Sequence, residues 1–98
     1  MSYDFRIGDF SANYTSNVRA MWACRQAPDG IRGLDGKKGV ELLFALRSIR
    51  DNMEFNQTVV RELEPKNGWG DFDSAYALIG QLILAACRFP NERLSVTC

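Results

Sequence analysis

A side-chain nucleophile works beside a base that takes its proton, and this chain contains no histidine. The commonest general base and the commonest metal ligand are therefore missing. The three cysteines, Cys24, Cys87 and Cys98, include no C-x-x-C pair. Cys24 and Cys87 sit in apolar, helix-like contexts and read as inert buried thiols. Three scattered thiols cannot supply the four ligands of a structural zinc. Asp71 and Asp73 are close in sequence, but residues two apart on a helix do not share a face. Gly33-x-x-Gly36-x-x-Gly39 lacks the spacing of a phosphate-cradling Walker loop. It reads as a loop that needs positive φ, with Lys37 and Lys38 as a solvated helix start. No catalytic residue, no metal and no cofactor is expected. In an enzyme reading, Asn67 and Asp71 are the first residues to test.

Two other segments carry more polar or aromatic character than packing alone requires. Ser11, Asn13, Thr15, Ser16 and Asn17 crowd around Tyr14, although one helix start needs only one or two caps. They read either as a capping network or as a polar patch beside free helix N–H groups, where anions such as phosphate bind. In Asn67-Gly68-Trp69-Gly70-Asp71, a tryptophan stands between two glycines. It reads either as a lid folded over the core or as a plate for stacking a planar ligand near the positive end of a helix. The candidate ligand-binding residues are Asn13, Tyr14, Thr15, Ser16, Asn17, Asn67, Gly68, Trp69 and Asp71. Arg6 and Lys66 are candidate phosphate partners.

The elements that must position these residues follow from hydrophobic periodicity. Tyr3, Phe5 and Ile7 alternate with polar neighbours and predict a strand ended by Gly8-Asp9. Tyr14, Val18, Met21 and Trp22 predict a helix over about residues 14 to 26, with Trp22 in the core. Pro28-Asp29-Gly30 ends it, and a glycine-rich loop runs to residue 39. Asp35 is the expected cap of a second helix buried through Leu42, Ala45, Leu46, Ile49 and Met53, widened by Leu43 and Phe44. Phe55, Val59 and Leu63 predict the buried stripe of a short third helix ended by Pro65. Asp71 is the expected cap of a fourth, over about residues 72 to 88, apolar nearly all round and so the most buried. Gly80 within it costs about 1 kcal/mol against alanine, tolerable if another backbone packs closely there. Leu94 to Thr97 alternates again, and the two terminal strands should pair. The expected fold is α+β and mainly helical: three to four helices around the central helix at about 72–88, with a small two-stranded sheet from the chain termini. Residues 1–98 form a single domain.

Composition bounds the function classes. A chain of 98 residues with 46 % hydrophobic and 24 % charged residues is ordinary for a globular domain. Twelve Lys and Arg balance twelve Asp and Glu, which argues against a nucleic-acid polymer as partner. The first residues lack the pattern of a signal peptide, and the apolar stretch from Ala75 to Cys87 is too short to span a bilayer. No membrane partner is expected. An odd number of unpaired thiols points to the cytoplasm.

The strings Asn13-Tyr14-Thr15-Ser16-Asn17-Val18 with Met21-Trp22, Gly33-Leu34-Asp35-Gly36-Lys37, and Pro65-x-Asn67-Gly68-Trp69-Gly70-Asp71 resemble a group of small uncharacterised proteins of bacteriophages, prophages and bacteria. The resemblance runs from about Tyr3 to Pro90. It implies one compact domain with segments 13–17 and 67–71 as its signature, located in the host cytoplasm. It also implies a binding role, either sequestering a nucleotide-derived host immune signal or other anionic small molecule, or inhibiting a host protein. In the protein-binding reading Trp69 and Phe72 are exposed anchors. A homo-oligomer is expected through the open edges of the terminal strands.

Overall fold

The computed structural model describes residues 2–98. Strand β1 (Ser2–Ile7) turns at Gly8-Asp9 into β2 (Phe10–Thr15), and β3 (Ser95–Thr97) pairs with the other side of β1. The sheet is antiparallel with order β2-β1-β3. The termini pair as expected, but the sheet has three strands. The added strand is the segment expected to open the first helix: Phe10, Ala12 and Tyr14 alternate with Ser11, Asn13 and Thr15. Tyr3, Phe5 and Ile7 are buried beneath β1, while Ser2, Asp4 and Arg6 face outward.

The first helix is correspondingly short. A 3-10 turn over Ser16–Val18 leads into α1 (Arg19–Trp22), and Ala23 is already extended. Val18, Met21 and Trp22 are buried as their spacing predicts, whereas Tyr14 lies on the strand. The indole N–H of Trp22 donates to the carbonyl of Ala75 at 3.2 Å, which ties α1 to the last helix.

A second 3-10 turn, Gly30–Leu34, carries the buried Ile31 and Leu34. Of the three spaced glycines, only Gly36 has positive φ. Helix α2 (Gly39–Phe55) starts at Lys38, whose N–H donates to the Glu41 carboxylate at 2.7 Å. Asp35 does not cap it. Its carboxylate accepts from the Val96 N–H at 2.8 Å and so fastens β3 to the loop. Leu42, Ala45, Leu46, Ile49 and Met53 are buried as expected, but Phe44 is exposed.

Helix α3 (Gln57–Arg61) turns Val60 inward and leaves Phe55, Val59 and Leu63 outside. Phe55 ends the outer face of α2, and Val60, seven residues after the buried Met53, continues the covered face, so the expected stripe stays outside. Helix α4 (Phe72–Arg88) has the expected bounds, with eight buried residues. It is amphipathic rather than apolar all round: Asp73, Gln81, Leu84 and Arg88 face outward. Gly80 lies on its half-buried flank, and a Cβ there would meet nothing within 4 Å, so no close backbone requires the glycine. Cys87 is exposed and Cys24 half-buried, which corrects the reading of both as buried thiols. The buried residues of sheet and helices form one cluster. No helix among the described residues is long and apolar enough to cross a membrane.

Candidate functional site

The segments 13–17 and 67–71, some fifty residues apart in the chain, meet in space. Ser2, Asn13, Tyr14, Thr15, Gly68, Trp69 and Gly70 line one open cleft of about 540 Å³, within the range of small-molecule sites. The contact that closes it is the Asp71 N–H donating to the Tyr14 hydroxyl at 3.2 Å. Gly70, at φ +100°, passes so close to β2 that a Cβ there would lie 2.5 Å from Val18 Cγ1 and 2.8 Å from Thr15 Cγ2. Only a glycine backbone allows the loop to seat against the strand.

Each polar side chain of the cleft is held by a local partner. Asn13 Nδ2 donates to Asp4 Oδ1 at 2.7 Å and to Ser2 Oγ at 3.3 Å, across the β1–β2 pair. Thr15 Oγ1 accepts from the Asn17 N–H at 3.3 Å and caps the 3-10 turn. Asn67 Oδ1 accepts from the Trp69 N–H at 2.9 Å, an Asx turn that presents the indole. Trp69 is 67 % exposed, so it is not a lid on the core. The core tryptophan is Trp22, packed 6.2 Å from the Tyr14 ring.

Of the nine residues expected at the site, Asn13, Tyr14, Thr15, Gly68 and Trp69 line the cleft, while Asn67 and Asp71 shape its loop. Ser16 and Asn17 belong to the 3-10 turn behind it and do not line it. Sequence reasoning misses Ser2 and Gly70. Ser2 stands opposite Thr15 in the hairpin register, a pairing that follows once β2 is read as a strand.

The expected anion seats at helix starts are corrected by this geometry. Segment 13–15 is strand, and the turn and helix that follow are too short to build a dipole. At the α4 start the chain's own groups fill the position. Asp71 Oδ1 accepts from the Ser74 N–H at 2.7 Å, and Glu64 Oε2 accepts from the Phe72 N–H at 2.9 Å. The bond from the Ser74 N–H holds the Asp71 carboxyl below its ordinary range. Arg61 completes this corner by pairing with Asp73 at 3.0 Å and lying 4.2 Å over the Phe72 ring. Phe72 is thereby buried and is no exposed anchor.

A second open hollow of about 630 Å³ is lined by residues that include Tyr3, Arg19, Asp29 and Arg32. Ser2 lines the first hollow and its chain neighbour Tyr3 the second, from opposite faces of β1. Nothing in the sequence marks Arg19 and Arg32 as a pair. They lie on α1 and the second 3-10 turn, which only the fold brings together.

Comparisons with protein-family models, with curated proteins and with solved structures return no match for this chain.

Proposed function

We propose that this chain is a small binding protein for a nucleotide-like molecule. The planar group stacks on Trp69 in the cleft, and the candidate partners for the anionic group are Arg19 and Arg32 of the second hollow. The observation that carries this reading is the convergence of segments 13–15 and 68–70 around an indole held outward by its own loop. Ser2, Asn13 and Thr15 supply hydroxyl and amide groups for the edge of the planar group. The arginine pair takes the role that the sequence suggests for helix starts, Arg6 and Lys66. The reading is one of binding, with no catalytic residue assigned. In the phage-type setting that the motif resemblance implies, the ligand is a nucleotide-derived host signal, sequestered in the host cytoplasm.

The test is native mass spectrometry of the protein purified from its host background, followed by titration with a nucleotide panel. A mass excess lost on denaturation is the expected result. Trp69→Ala should weaken binding about 5- to 150-fold, since stacking a base on an aromatic ring is worth about 1–3 kcal/mol. Arg19→Ala with Arg32→Ala should weaken nucleotides but spare the uncharged nucleoside. A clean apo mass, unchanged by the panel, overturns the reading. That outcome would favour the second one, a host-protein inhibitor or adaptor with the exposed Trp69 as its anchor.

A further inference from the structure

The outer face of α2 carries an arrangement that the ligand reading does not use. Val40, Phe44, Arg47, Asp51 and Phe55 recur at helical spacing along one stripe. Val40 is 58 %, Phe44 72 % and Phe55 83 % exposed. A solvated face normally carries polar side chains, yet here two exposed phenylalanines flank Arg47 and Asp51. Arg47 and Asp51 stand four apart and are both exposed. The ion pair among the described residues is Arg61–Asp73, elsewhere on the surface. Arginine on the N-terminal side of aspartate is also the weaker orientation for a pair within one helix.

We infer that this face binds a second copy of the chain through antiparallel packing of α2 on α2 about a two-fold axis. The stripe is self-complementary only in that direction. With the axis near the level of residue 49, Arg47 of each copy meets Asp51 of the other at the centre. Phe44 of each copy then approaches Phe55 of the other at the two ends. The ends lie roughly 16 Å apart along the helix at about 1.5 Å per residue. The receiving surface is already shaped: a hollow of about 270 Å³ beside Phe55 is lined by Gln26, Ser48, Asp51, Asn52 and Asn56. Its α2 residues are spaced as a hole that accepts a knob from a facing helix. Both copies use the same patch, as a closed two-fold dimer requires. A net charge of zero leaves no overall repulsion to overcome. The four rings contribute on the order of 600 Å², about half the smallest area typical of a specific interface. Val40, one turn before Phe44 on the same stripe, extends the patch toward the remainder. The face shares no residue with the Trp69 cleft, so dimerisation and ligand binding fail independently.

Sedimentation velocity on the full chain tests this. The wild type should sediment as two chains at high micromolar concentration. Phe44→Asp should be monomeric with an unchanged circular dichroism spectrum, because Phe44 lies outside the core. R47D and D51R should each be monomeric alone, since each sets like charges against each other across the axis. Mixed one to one, they should form a heterodimer, because every central contact then joins opposite charges. A monomeric wild type overturns the inference, as does a dimer that survives Phe44→Asp. A mixture of R47D and D51R that stays monomeric overturns the antiparallel register.

Discussion

Gly70→Ala tests whether the cleft is built as described, because two separable effects act at that residue. Its φ of +100° is unfavourable for any side chain, which costs about 1–2 kcal/mol. The added Cβ also meets Val18 Cγ1 at 2.5 Å and Thr15 Cγ2 at 2.8 Å. Ordinary contacts between carbons begin near 3.5 Å, so the loop or the strand must retreat by about 1 Å. Val18 is fully buried and has little room to give, and overpacking of this kind costs about 1–3 kcal/mol. The expected loss is about 2–5 kcal/mol, against a total stability of about 5–15 kcal/mol for a domain of this size. Gly68→Ala is the matched control, because Gly68 also has positive φ, +80°, but nothing lies within 4 Å of its Cβ position. It should lose only the conformational part. Urea denaturation of the two variants should therefore differ by about 1–3 kcal/mol, with Tm falling about 4–8 °C for each kcal/mol. Retreat of the loop should also lengthen or break the bond from the Asp71 N–H to the Tyr14 hydroxyl and weaken any ligand that bridges the cleft. Equal losses in both variants would refute the reasoning, because the loop would then not rest on β2.

Two further predictions concern the core and the α4 cap. Trp22→Phe removes a buried hydrogen bond to Ala75 and part of a fully buried side chain. It should cost about 1–3 kcal/mol in urea denaturation and leave Trp69 as the single tryptophan, with the red-shifted emission of an exposed indole. Asp71 has its carboxyl pKa lowered below the ordinary 3.8 by the bond from the Ser74 N–H. Its contribution is thus fully present above pH 3.8 and lost as pH falls through the lower, folded value. Asp71→Asn keeps a capping oxygen but no titration, so a plot of Tm against pH should fall less steeply below about pH 4 than the wild type; superimposable curves would remove Asp71 from the acid response.

The elements most legible in the chain are those with one strong period and one dominant face. β1 and α4 fall where alternation and helical spacing place them, and Asp71 caps α4 as its position implies. Segment 10–15 is ambiguous because serine, threonine and asparagine suit both a helix cap and the wet face of a strand. The alternation of Phe10, Ala12 and Tyr14, after the two-residue Gly8-Asp9 turn, is the signal that favours a hairpin. Phe55, Val59 and Leu63 mislead for another reason. Their spacing marks one side of a helix but not which side is covered, and here the covered side runs through Met53 and Val60.

The same division runs through the candidate site. Residue types and local geometry are set by short-range rules that act within a few residues: the Asx turn at Asn67, the glycines around Trp69, the acid at the α4 start. That Tyr14 meets Asp71, that Trp22 reaches Ala75 and that Arg19 and Arg32 share a hollow are decisions of the tertiary structure. They depend on how the sheet and the two long helices bury one common core. Periodicity states which face of an element is apolar, but not which other element covers it. Here Trp22 of α1 bonds to α4 while Gly70, just before that helix, seats on β2, and the two signature segments come together in one cleft.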